Sequence, residues 1–97
     1  MENSSKTAKE QVLEILPRDD EMRLTARQIW NMLGVAPANI RRIVNELRSE
    51  GIPVCSDGKG YFISDSPKCI RATVNHLKHR VKKIQDALDG LERMKGG

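Results

Sequence analysis

Residues 24–63 constrain the chain most, because two short apolar-periodic segments are punctuated there by glycines and followed by a glycine-rich corner. Thr25-Ala26-Arg27-Gln28 has the form of a capping box, in which the Thr25 hydroxyl accepts an orphan amide three residues on and Gln28 reaches back. A helix therefore starts near Ala26. Ala26, Ile29, Trp30 and Leu33 recur at three- and four-residue intervals, which gathers them into one buried stripe, and Gly34 supplies a permissive backbone at the C-terminal end. After Val35-Ala36, Pro37 suits a first helical position. Ile40, Ile43, Val44 and Leu47 form the next stripe, and Gly51 closes that helix. With so short a connection the two helices must cross steeply.

The second of these helices leaves Ala38, Asn39, Arg41, Arg42, Asn45 and Arg48 on its other face. Such residues bond to base edges and phosphates, with small ones near the N-terminus where a groove is approached most closely. A solvated polar face carries the same residue types, and charge patterning alone is a weak signal. Ile52-Pro53-Val54-Cys55, then Ser56-Asp57-Gly58-Lys59-Gly60, then Tyr61-Phe62-Ile63 reads as strand, turn, strand, with Asp57-Gly58 as the tight corner. Lys59 then stands at an exposed tip, where it either reaches a phosphate or merely solubilises the turn.

Leu47-Arg48-Ser49-Glu50-Gly51-Ile52 and Gly58-Lys59-Gly60-Tyr61 are the runs by which residues 24–63, about two fifths of the chain, resemble the winged helix-turn-helix of the biotin-repressor type. In that family a recognition helix ends in Leu-Arg-x-x-Gly-[Ile/Val] and leads into a wing ending Gly-Tyr. The resemblance implies duplex DNA binding through the helix that begins at Pro37, with the wing as an auxiliary contact, and implies nothing about biotin. Its candidate DNA contacts are Pro37, Ala38, Asn39, Arg41, Arg42, Asn45 and Arg48, with Lys59 of the wing and with Thr25 and Arg27 of the preceding helix. Two positions depart from the family. Trp30 stands where a small residue is usual, so the helices are expected to pack more widely or the tryptophan to lean toward the wing or the first helix. Ala36 replaces the usual capping Ser or Thr, forgoing about 1 kcal/mol.

Upstream, residues 1–5 are polar and expected to be disordered, and residues 7–16 form an amphipathic helix through Ala8, Val12, Ile15 and Leu16, ended by Pro17. Asp19-Asp20-Glu21 reads as a connecting loop. At 97 residues the chain has room for one small domain plus an extension. One Trp, one Tyr and one Phe leave the core to aliphatic residues, which favours helices over a sandwich or barrel. The net charge is +4 and the sequence pI is near 9.3. Residues 1–22 hold three basic and six acidic side chains, so residues 23–97 carry +7. Such a field suits a polyanion.

Catalysis has little to stand on. His76 and His79 lie among Lys78, Arg80, Lys82 and Lys83, which would repel a metal cation, so both read as solvated helix residues. Cys55 and Cys69 form no Cys-x-x-Cys pair and read as free thiols in a reducing cytosol. With no signal peptide and no apolar run approaching 18 residues, a cytoplasmic protein off the membrane is expected. The chain is not read as an enzyme, and no metal, cofactor or small-molecule ligand is expected.

The C-terminal segment carries the second strong signal. Ser66-Pro67 is a helix start, and Ile70, Val74, Leu77, Val81, Ile84, Leu88 and Leu91 follow at spacings of four, three, four, three, four and three. That is an unbroken heptad seam. With Ile70 at d, β-branched residues at a lean toward a parallel pair, yet no g-to-e salt bridge would form, whereas an antiparallel pair sets Arg71 against Glu92. Folding back onto the helix of Val12 and Leu16 is the alternative. A helix of about 25 residues spans roughly 38 Å, longer than a small domain covers, which favours a homodimer. Lys68, Arg71, Lys78, Arg80, Lys82 and Lys83 all precede its first carboxylate, Asp86.

The expected fold is mainly α with a small β-hairpin: a winged helix-turn-helix at 6–65 and a dimerisation helix at 66–97. The expected function is sequence-specific double-stranded DNA binding as a homodimer, as in a small transcriptional regulator. An assembly module, or a phage-type replication or packaging accessory on the same scaffold, is the alternative.

Overall fold

Local capping chemistry sets the helix starts. In the computed structural model, which describes residues 6–56 and 58–95, α1 (Ala8–Ile15) begins at a capping box. Thr7 Oγ1 accepts from the Glu10 N–H at 3.1 Å, and the Glu10 carboxylate accepts from the Thr7 N–H at 2.8 Å. α2 (Ala26–Leu33) repeats the device with Thr25 and Gln28 at 3.1 and 2.8 Å. Between them, a 3-10 turn at Asp20–Met22 capped by Asp19 takes the place of the expected loop. The disordered tail expected at 1–5 and the Asp57 half of the expected corner lie outside the described residues.

Gly34 ends α2 in the left-handed region, φ 74°, where its N–H donates to Trp30 O at 2.7 Å. Three residues on, α3 (Pro37–Ser49) starts with Pro37 in its first turn and no side-chain cap from Ala36. Its inner stripe of Ile40, Ile43, Val44 and Leu47 is buried, and with Val12, Leu16, Ile29, Val35, Val54 and Ile63 it makes one core. The stripe expected for α2 is narrower than its spacing suggested. Ile29 is buried and Ala26 and Leu33 pack beside it, but Trp30 is 50% exposed and stands outside the core. Successive residues sit about 100° apart on a helix, so a two-turn helix aims one line inward, and here that line is Ile29.

The hairpin pairs β1 (Val54–Ser56) with β2 (Tyr61–Ile63) in antiparallel register, Val54 opposite Ile63, Cys55 opposite Phe62 and Ser56 opposite Tyr61. The first strand starts two residues later than expected. The Ile52 N–H is already donated to Leu47 O at 3.0 Å, closing α3, and Pro53 has no N–H to give. Ser56, expected in the turn, is a strand residue. Leu24 exchanges two backbone hydrogen bonds with Tyr61, at 3.0 and 2.8 Å, and Ile63 donates to Pro17 O at 2.8 Å, so the chain between α1 and α2 covers the outer edge of β2. Period-two alternation sends Val54 and Ile63 to the core and Cys55 and Phe62 to the other face, where the Arg23 guanidinium lies 5.2 Å from the Phe62 ring centre.

That other face receives α4 (Pro67–Lys95), a helix of 29 residues and about 43 Å. It packs on β1, not on α1 as a fold-back of the seam onto Val12 and Leu16 would require. Its anchor is Thr73, 6% exposed. The Ser56 N–H donates to Thr73 Oγ1 at 3.0 Å, and the hydroxyl lies 3.0 Å from Cys69 O and 3.2 Å from Ser56 O, either of which can take its proton. Because the anchor is one position before Val74, the heptad seam is turned aside from the domain. Leu77 is half-buried, while Ile70, Val74, Val81, Ile84, Leu88 and Leu91 are exposed. The molecule measures 60 × 32 × 23 Å, drawn out along its longest axis. Among the described residues, no helix is long and apolar enough to cross a membrane.

Candidate functional site

Three elements converge on one cleft of about 250 Å³. From α3 come Arg41, Asn45 and Arg48, spaced at four and three residues so that they share a face. The hairpin contributes Ser56, Gly58, Lys59, Gly60 and Tyr61, and α4 contributes His76, Leu77 and Arg80, while Thr25 and Ala26 close the floor at the start of α2. A Cβ placed on Gly58 would meet His76 Cε1 at 3.7 Å, so α4 runs beside the hairpin tip. None of the described residues lining the cleft is acidic. Four permanent cations and a histidine therefore border a space open to solvent.

Arg48 corrects the sequence reading. Expected on the outer face, it is half-buried, and its Nε donates to Val54 O at 2.8 Å, tying the end of α3 to the first strand. A helix that ends against a hairpin turns its last face inward, and position 48 is where α3 meets β1. Burial holds the Arg48 guanidinium below its usual pKa, Tyr61 and Cys55 act the other way, and the Arg80 charge lowers it further. The group stays protonated at any ordinary pH. A partly desolvated cation beside a second cation is an electrostatic cost that an anion in the cleft would relieve.

Around the helix from this cleft, the outer face of α3 changes character. Ala38, Arg41, Arg42, Asn45, Glu46, Ser49 and Glu50 line a shallow open groove. Arg42 Nη1 donates to Glu46 Oε2 at 2.9 Å, and Glu50 pairs with Lys9 of α1. Arg41 and Asn45 border both surfaces. Arg42 thus lines the mixed-charge groove alone while Arg41 also borders the cationic cleft, a distinction the sequence spacing does not make.

Of the other expected contacts, Thr25 lines the cleft, but its hydroxyl oxygen already accepts the Gln28 N–H. Arg27 and Asn39 are exposed and Pro37 is half-buried, and these three line neither surface. His76, expected to be solvated, is half-buried in the cleft, whereas His79 is exposed. His76 and Arg80 follow Thr73 at three and seven residues, on the side of α4 that the threonine turns toward the hairpin. A threonine beside a long apolar seam gave no sign of being the docking residue, so this side of the cleft was missed.

Among the described residues, no group of three or more His, Cys, Asp or Glu side chains is placed to hold a metal ion. Cys55 is buried, with its thiol 3.5 Å from Ser64 O, and Cys69 is half-buried; neither forms a disulfide. Comparison with protein families, with characterised proteins and with solved structures finds no match to this chain.

Proposed function

We propose that the chain is a winged helix-turn-helix protein that binds duplex DNA as a homodimer and serves as a small transcriptional regulator in the cytoplasm. The observation that carries the reading is the convergence of Arg41, Arg48, Lys59 and Arg80 on one cleft bordered by no described acid, next to the exposed outer face of α3. On this reading α3 enters the major groove, where Arg41 and Asn45 at its middle bond to base edges. The cleft takes a phosphate of the flanking backbone. Lys59 and Arg80 approach that phosphate from either side, and Arg48 stiffens the junction between reading helix and wing while adding its charge.

Chemically this is positioning by phosphate contacts and selection by base contacts. Arg and Asn make bidentate bonds to guanine and adenine edges respectively, each good pair discriminating by about 1–3 kcal/mol. Two copies joined through α4 would offer two reading helices to two half-sites. The test is a fluorescence titration of the protein against random duplexes and against duplexes enriched by selection from a random pool. The reading expects binding to both at low salt, with selected duplexes held at least about a thousandfold more tightly. Absence of duplex binding at low salt would contradict it and favour an assembly module.

A further inference from the structure

We infer that two copies pair through α4 in the antiparallel sense, with the C-terminal end of one copy's α4 seated in an apolar groove of its partner. This rests on the homodimer of the preceding reading and deepens it. The groove, of about 300 Å³, lies between α4 and the chain leading into β1, and its apolar lining is Ile52, Pro53, Val54, Ile70, Val74 and Leu77. It opens beside the heptad seam on the side of Thr73. Whatever packs along the seam must therefore also cover the groove.

The two orientations put different chemistry there. In the seam register Thr73 is a g position. In a parallel pair the partner's e positions flank it, and these are Arg71 and Lys78, two cations against an apolar lining. In an antiparallel pair g faces g, and at this height along the helix the partner offers Ala87 and Met94. Met94 is 79% exposed in the single chain and lies off the a and d seam. The same alignment stacks Val74 on the partner's Leu91, Leu77 on Leu88 and Val81 on Ile84. It also sets Arg71 against the partner's Glu92 at both ends.

Charge favours the same orientation at the ends of the seam. Residues 68–83 of α4 carry six Lys or Arg and no acid, while the three acids of the helix fall at Asp86, Asp89 and Glu92. A parallel pair would align the cationic halves with each other, whereas an antiparallel pair aligns each with the partner half that holds these acids beside Arg93 and Lys95. Lys82 is already engaged by Asp86 within the helix, at 3.0 Å, and Lys78 meets the partner's Gln85, so the charge pairing between copies rests on Arg71 with the partner's Glu92.

The experiment is cysteine cross-linking of the full chain in a Cys69→Ser background, Cys55 being buried. Val74→Cys with an affinity tag and Leu91→Cys without one are mixed under reducing conditions, left to exchange subunits and then oxidised. The antiparallel pair gives disulfide-linked dimers only in the mixture, each containing one tagged and one untagged chain. Linking of either variant with itself would show a parallel pair and overturn the proposal while leaving the dimer intact. A dimer by sedimentation that links in no combination would overturn it too, by placing the contact elsewhere. A wild-type monomer at tens of micromolar would overturn both this proposal and the dimer reading. Independently, Met94→Lys should weaken dimerisation about tenfold, because an apolar side chain leaves a buried seat. An unchanged dissociation constant would contradict the seat.

Discussion

Arg41 and Arg42 are adjacent, carry the same charge and have different surroundings, so they give the sharpest comparison at the scale of single residues. Arg41 borders the cationic cleft, while Arg42 is held by Glu46 on the mixed-charge side. Arg41→Ala should weaken binding to a selected duplex by about 1–3 kcal/mol and relax preference at one base pair. Arg42→Ala removes a surface ion pair and should change affinity by less than about 1 kcal/mol. Equal losses in a titration at fixed salt would undo the distinction. Ala36 offers a gain of stability, because its backbone already has the extended geometry of a capping residue and only the side-chain oxygen is missing. Ala36→Ser should raise stability by about 1 kcal/mol in urea unfolding. Glu10 has its pKa lowered by the hydrogen bonds it accepts from Thr7. A lowered value means the bond stabilises α1 above the ordinary carboxylate range and is lost as pH falls through the folded value. Acid should therefore loosen α1 first at its N-terminus, visible as a loss of protection at the Thr7 amide measured against its intrinsic exchange rate at each pH, and Glu10→Gln should remove the pH dependence.

At the scale of elements, the docking of α4 depends on one hydroxyl. Thr73→Val keeps the shape and leaves the Ser56 N–H without its acceptor, which should cost about 1–3 kcal/mol. Exchange at the Ser56 amide should rise, while the amides of α1 keep their protection relative to the global unfolding limit. No change at Ser56 would show that α4 is held by packing alone. The elements themselves were legible because their signals are local. Thr25 with Gln28 starts a helix, Gly34 and Gly51 stop helices, Pro37 restarts one and the 61–63 run pairs back on 54–56, each within a few residues of sequence. What was not legible is decided by distant neighbours. Trp30 belongs by spacing to a stripe that a two-turn helix cannot turn fully inward. Arg48 reads as outward because helical spacing cannot show that β1 lies against the end of α3. His76 reads as solvated because nothing near it in sequence says that α4 passes the hairpin tip.

For the whole molecule, the unclosed feature is the apolar stripe that continues past the domain, with Val81 and Leu91 each 64% exposed. Val81→Lys is the clean disruption, since Val81 is exposed in the single chain and its loss should leave the monomer fold unchanged. Sedimentation should show monomers with an unaltered circular dichroism spectrum. A dimer that persists would move the contact off the seam. If the basic cleft built from α3, the hairpin and α4 receives a DNA phosphate, the salt dependence of duplex affinity must report it. Log affinity against log salt should fall linearly for the wild type, and Lys59→Ala and Arg80→Ala should each make the slope shallower by about 0.9 for every phosphate contact removed, without changing the preferred sequence. Slopes that match the wild type in both variants would show that no phosphate sits in the cleft.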